Sequence, residues 1–170
     1  GRLLPWEACI TLNRHWGYCS ADHDYKSPKT VIRTLAECVS KGGNLLLNVG
    51  PDARGRIPKE SVEILNAVGE WMEKNSDSIY GCTIADFPKP EWGRYTQKGK
   101  KLYAHVLERG IGPMGFVGLG GKVRSARLLC DGSELVMSMP WMATQHVAGS
   151  ERNVFITFPS AELPDDLDTV

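Results

Sequence analysis

One carboxylate, Glu7, stands between the indole of Trp6 and the run Ala8-Cys9-Ile10, and a second indole follows in Trp16-Gly17-Tyr18. Two kinds of chemistry fit this placement. One is packing. The other is a sugar site: burial beside apolar surface raises a carboxyl pKa by disfavouring the anion, and aromatic faces bring large apolar area to the C–H side of a sugar ring at small entropic cost. Asn44 and Asn48 bracket a further apolar run, Leu45-Leu46-Leu47. Asn48 falls at its far end, where it either hydrogen-bonds a ligand or ties down nearby loop backbone, as asparagine side chains commonly do.

Other reactive residue types carry weaker patterns. The five cysteines, Cys9, Cys19, Cys38, Cys82 and Cys130, are odd in number and form no C-x-x-C pair, so buried reduced thiols are expected. His15 and His23 are too far apart for one helical turn and lie in a polar loop, so no metal site is expected. Asp52-Ala53-Arg54-Gly55 fails the twelve-residue calcium-loop pattern and reads as a solvated turn. Gly118 to Gly121 precedes a strand pattern, not a helix, which argues against a nucleotide cradle. The formal net charge is zero, which advertises neither a nucleic-acid nor an anionic-membrane partner. No apolar run reaches the roughly 18 residues of a spanning helix. The opening Gly1-Arg2-Leu3-Leu4-Pro5 is too short for a signal peptide.

These residues need elements to hold them. Residues 8–12 read as a short buried strand and Asn13 to Tyr25 as a loop. Ser27-Pro28 predicts a helix start, with serine as cap and proline at the first helical position. Val31, Ile32, Leu35, Cys38 and Val39 then make one helical face, and Gly42-Gly43 ends it. Asn44–Val49 reads as a parallel strand buried on both faces, broken by Gly50-Pro51-Asp52. Pro58 predicts a second helix, with Val62, Leu65, Val68 and Met72 as its stripe, Ile64 and Trp71 widening it, and Asn75 at its end. Two strand–helix units are an α/β repeat, too few to close a barrel. After Tyr80-Gly81, short strand patterns take over at 101–107, 116–119, 123–129, 135–139 and 154–158, with Asp131-Gly132 as a hairpin turn. This predicts an antiparallel sandwich, with Trp92 and Trp141 as packing residues. The expected division is 1–82 and 83–170.

In order, PWEACITLNRHWGY, VSKGGNLLLNVGPDARGRIP and VGEWMEKNSDSIYG resemble blocks near the C-terminal end of the catalytic barrel of α-L-fucosidases of glycoside hydrolase family 29. KKLYAHVLE and KVRSARLLCDGSEL resemble the small β-sandwich that follows it. The resemblance covers nearly the whole chain, and Gly-Gly-Asn-Leu-Leu-Leu-Asn-Val-Gly-Pro is its most specific piece. It implies the last strand–helix units of a (β/α) barrel followed by an antiparallel β-sandwich. It also implies a retaining exo-glycosidase acting on terminal α-L-fucosyl linkages in glycans, with two carboxyl groups roughly 5–5.5 Å apart and no cofactor.

The family's nucleophile is an aspartate in a Trp-x-Asp context on an earlier strand. This chain holds no Trp-x-Asp, so it is expected to be inactive without an upstream barrel portion. LPDDLDTV resembles the approach to a final strand. Glu7 occupies a position resembling the acid/base of part of the family, Trp16 is the candidate pocket wall, and Asn48 is the candidate substrate contact. Barrel enzymes keep their chemistry at the C-terminal ends of strands. The role for Glu7 therefore requires Pro5–Glu7 to be a loop entering the site; otherwise Glu7 is structural, paired with Arg14 or another base. The expected partners are a fucosylated glycan and the N-terminal part of the barrel, whose absence would leave apolar faces that drive oligomer formation. The alternative is a non-catalytic glycan-binding or structural sandwich. Members of this family are often secreted, periplasmic or lysosomal, and the cysteine count does not choose among these.

Overall fold

The computed structural model describes residues 4–138, 152–160 and 162–170. Met139, Trp141 and His146 lie outside the described residues.

Strand β1 (Glu7–Thr11) leads through a loop to helix α1 (Pro28–Ser40), then strand β2 (Asn44–Asn48) and helix α2 (Lys59–Asn75). The two strands pair in parallel, with Glu7 opposite Asn44 and Thr11 opposite Asn48. Local chemistry sets the helix ends. The Ser27 hydroxyl accepts the Thr30 N–H at 3.2 Å, a cap worth about 1 kcal/mol, and Pro28 is the first helical residue. Gly42 stops α1 by taking a φ of +72°, which costs glycine little. Val31, Ile32, Ala36, Cys38 and Val39 are the buried stripe of α1; Ile64 and Trp71 are buried from α2.

Alternation along the strands divides their faces. Ala8, Ile10, Leu45 and Leu47 are half-buried, whereas Glu7, Cys9, Asn44 and Leu46 are exposed. Register places Cys9 beside Leu46 on that exposed side. The run Asn44–Val49 is therefore covered on one face only. Leu46 remains 51% exposed, because the two α-helices among the described residues account for one layer and no other described element supplies the second. Cysteine burial divides in the same way: all five thiols are free, Cys38 is buried, and Cys9 is exposed on the open side.

A 3-10 turn (Ser76–Ser78) closes this half. Strands β3 (Thr83–Ile84), β4 (Gly93–Lys98) and β5 (Lys101–Val106) then form an antiparallel sheet in the order β3-β4-β5. Strands β6 (Met114–Phe116), β7 (Ala126–Arg127), β8 (Glu134–Ser138) and β9 (Val154–Thr157) form a second, in the order β6-β9-β8-β7. Between the sheets lies a core of Tyr95, Val106, Met114, Phe116, Ile156 and Phe158, among others. Trp92 packs on it with ring centroids 4.8 Å from Phe116 and 5.5 Å from Tyr95. The sandwich architecture is as expected, but its strands differ in detail: β4 carries no strong apolar signal, β6 lies earlier than expected, and β7 is only two residues long. Asp131-Gly132 does turn between β7 and β8, within a loop closed by Leu128 N–H to Ser133 O at 2.9 Å.

The halves are joined by polar side chains. Arg33 of α1 donates to the carbonyls of Leu107 and Leu167 at 2.7 and 3.2 Å. The Trp71 indole donates to Asp168 O at 2.8 Å. The Asp168 carboxylate meets His105 Nδ1 at 2.7 Å, with both side chains fully buried.

Candidate functional site

In parallel strand–helix architectures, chemistry collects beyond the carboxyl ends of the strands. Here that end is formed by Thr11, Leu12 and Asn13 after β1 and by Asn48 to Gly50 after β2. The Asn48 amide donates to Thr11 Oγ1 at 3.1 Å and to Trp16 O at 2.8 Å. Both of its N–H bonds are thus spent on the neighbouring strand and loop, and its Oδ1 is the atom left for other partners. Thr11 Oγ1 lies 3.1 Å from His15 O and 3.4 Å from Asn13 Oδ1, the acceptors available to its one proton. The Lys26 ammonium caps the strand by donating to Thr11 O at 2.7 Å.

The loop lies close on this end because Gly50 has no side chain. A Cβ on Gly50 would stand 2.8 Å from the Gly17 carbonyl carbon and 3.0 Å from Tyr18 N. The missing side chain at Gly50 lets Trp16-Gly17-Tyr18 cross the end of β2, whereas a Cβ on Gly17 would meet nothing within 4 Å. With their backbone held there, Trp16 and Tyr18 present side chains that are 55% and 53% exposed.

Asp22 orders the remainder of the loop. Its Oδ2 accepts from Arg14 N at 2.9 Å and from His15 Nδ1 at 2.7 Å; its Oδ1 accepts from Asp24 N at 3.1 Å. The His15 hydrogen bond, aided by the backbone donors, holds the Asp22 carboxyl down at about 2. Beside it, a cleft of about 360 Å³ between the loops after β1 and β2 is lined in part by Tyr18, Asp22, His23, Tyr25, Asp52 and Arg56. Its charges are mixed. Asp52 is drawn below the usual carboxylate range by the Arg56 backbone N–H and guanidinium, and the pair staples its own loop at 2.8 Å.

Glu7 stands elsewhere. It is the first residue of β1, exposed, on the same strand face as Thr11. Thr11 lies four positions further on, about 13 Å at roughly 3.3 Å per residue. Arg14 pairs with Asp24 instead. Trp6 belongs to the same end as Glu7. Its indole donates to Lys41 O at 3.0 Å and covers Gly43, where a Cβ would fall 2.2 Å from the ring. The structure therefore brings Trp16 and Asn48 together and leaves Glu7 at the opposite end of the strand. The His15–Asp22 pair is not legible in the sequence, because its members stand seven positions apart in an aperiodic loop. Among the described residues, no group of three His, Cys, Asp or Glu side chains is placed to hold a metal ion.

Comparison with known proteins gives this geometry a context. A family model described as Alpha-L-fucosidase matches residues 2–77. An α-L-fucosidase of Dictyostelium discoideum is 36% identical over 61% of this chain and 23% of its own length. The plasma α-L-fucosidase of Rattus norvegicus is 41% identical over 69% of this chain and 28% of its own. Among solved structures, α-L-fucosidase isoenzyme 1 from Paenibacillus thiaminolyticus is 58% identical, with a TM-score of 0.94, covering 99% of this chain and 39% of that one. A GH29 α-L-fucosidase from Bacteroides thetaiotaomicron, solved as a trapped covalent intermediate with 2-fluoro-fucosyl fluoride, is 26% identical with a TM-score of 0.81, covering 97% and 37%. The chain thus spans about a quarter of the curated relatives' length and matches a C-terminal part of them.

Proposed function

Because this chain belongs to the α-L-fucosidase family, matching its C-terminal part, we propose that it forms one side of the site of a retaining glycosidase that removes terminal α-L-fucosyl units from glycans. The observation that carries this reading is the pinned aromatic loop at the carboxyl ends of β1 and β2, where Asn48 holds the backbone of Trp16. In such a site Trp16 serves as an apolar wall for the sugar, and Asn48 fixes that wall and offers Oδ1 to a hydroxyl. Residues 1–82 supply barrel elements and 83–170 the sandwich that braces them.

Retaining hydrolysis needs a nucleophile and an acid/base roughly 5–5.5 Å apart. The nucleophile is assigned to an aspartate upstream of this chain, in the Trp-x-Asp context that the chain lacks. The isolated 170 residues are therefore expected to release no phenol from an aryl α-L-fucoside, while the protein carrying the upstream barrel does so. Turnover by the 170 residues alone would overturn the assignment. For Glu7, family resemblance supports the acid/base role. Its place at the start of β1, a strand length below the rim, supports a structural role, and the geometry favours the second.

A further inference from the structure

His15 is a rim residue whose ring is oriented from behind by a buried carboxylate. The Asp22 side chain is 4% exposed and the His15 ring 57% exposed, with Nδ1 and Oδ2 2.7 Å apart. A carboxylate only accepts, so Nδ1 carries the proton, and in the neutral ring Nε2 is an acceptor. The ring's backbone is held separately, by His15 N–H to Asn13 Oδ1 at 3.2 Å and His15 O near Thr11 Oγ1. The next residue is the exposed indole of Trp16. An oriented hydrogen-bonding edge beside an apolar plate is what a neutral sugar requires: hydroxyls for the first, C–H faces for the second.

We propose that His15, aimed by Asp22, hydrogen-bonds a hydroxyl of the sugar unit to which the fucosyl group is attached, with Trp16 as the adjoining platform. This rests on the fucosidase reading above. The leaving-group side is chosen because an exo-acting enzyme encloses the terminal unit and lets the rest of the glycan pass over the rim, where exposed side chains meet it. Asn48 and Thr11 lie one level lower, at the strand ends themselves. The neighbouring cleft of about 360 Å³ with its mixed charges falls within the range of small-ligand sites, about 300–1,000 Å³, and leaves room for the continuing chain.

His15→Phe in the full-length protein keeps an aromatic ring and removes the hydrogen bond, while Asp22 still holds Arg14 N and Asp24 N. The kcat/KM for an α-fucosylated disaccharide should fall about five- to tenfold more than that for an aryl α-L-fucoside, the size expected for one hydrogen bond. The loss should sit in KM. His15→Gln, which retains a polar edge, should recover part of it. Equal losses on both substrates, or no loss on the disaccharide, would overturn the assignment. Absence of aryl fucoside hydrolysis by the unaltered full-length protein would instead overturn the fucosidase reading, and the subsite with it.

Discussion

Phe116 and Leu46 are both apolar residues on β-strands, yet Phe116 is 5% exposed and Leu46 51%. Phe116 lies between two sheets that the chain itself supplies, in contact with Trp92 and Tyr95. Leu46 lies on a two-stranded parallel sheet with helices on one side only. A sandwich is self-sufficient because both inner faces come from one stretch of sequence. A parallel strand pair is not, since such sheets occur almost only with both faces covered. The difference separates the half whose apolar strand faces this chain covers by itself from the half whose strand face it leaves open.

The largest effect expected from that contrast is in the sandwich. Phe116→Ala should destabilise the chain by about 3–5 kcal/mol in denaturant unfolding, the usual cost of emptying an aromatic core site. Leu46→Ala should cost less than about 1 kcal/mol in the isolated chain, because little burial is lost. In the full-length protein the second value should rise towards the roughly 2–5 kcal/mol of a buried leucine. A Leu46 cost that is the same in both forms would break the comparison.

Next comes the seam between Trp6 and Gly43. Gly43→Ala forces a methyl into the indole and should cost about 1–3 kcal/mol, typical of overpacking. In a Trp6→Ala background that cost should largely vanish, since contacting residues are not additive. An undiminished cost would mean that something other than the ring excludes the side chain.

The rim loop should respond to acid. Asp22 is lowered from 3.8 to about 2, first by the His15 hydrogen bond. A depressed carboxyl contributes stability that is fully present above 3.8 and is lost as pH falls through about 2. Amide exchange at Arg14 and Asp24 should therefore accelerate over that window, and Asp22→Asn should flatten the response. A profile unchanged by Asp22→Asn would remove Asp22 as the organiser of the loop.

The smallest effect concerns solubility. Leu46→Lys places a charge on the uncovered face and should reduce concentration-dependent association of the isolated chain in sedimentation. Unaltered association would locate the sticky surface elsewhere.

Much of this division was legible in the sequence. Ser27-Pro28 and Gly42-Gly43 delimit α1 through cap chemistry that needs no tertiary partner. Asn75 ends α2 as expected. What escaped was non-local. GRYTQK, which forms β4, offers one large apolar residue and becomes a strand through pairing with β5. Leu46 reads as core because a continuous apolar run does not show which of its faces the chain covers. At the site, the tie from Asn48 to loop backbone was one of two readings of that asparagine, and the structure shows the tie. The packing reason for Trp6 is written in Gly43, 37 positions on, and emerges only when the two are seen in contact.

If the site proposed above lies at the carboxyl ends of β1 and β2, Glu7 is a structural residue at the other end of β1. The most direct test is Glu7→Ala in the full-length protein, assayed on an aryl α-L-fucoside with and without azide. A structural Glu7 predicts no rescue by azide and no fucosyl azide product. Azide-dependent recovery of the rate, with fucosyl azide formed, would place Glu7 at the reacting bond and contradict it.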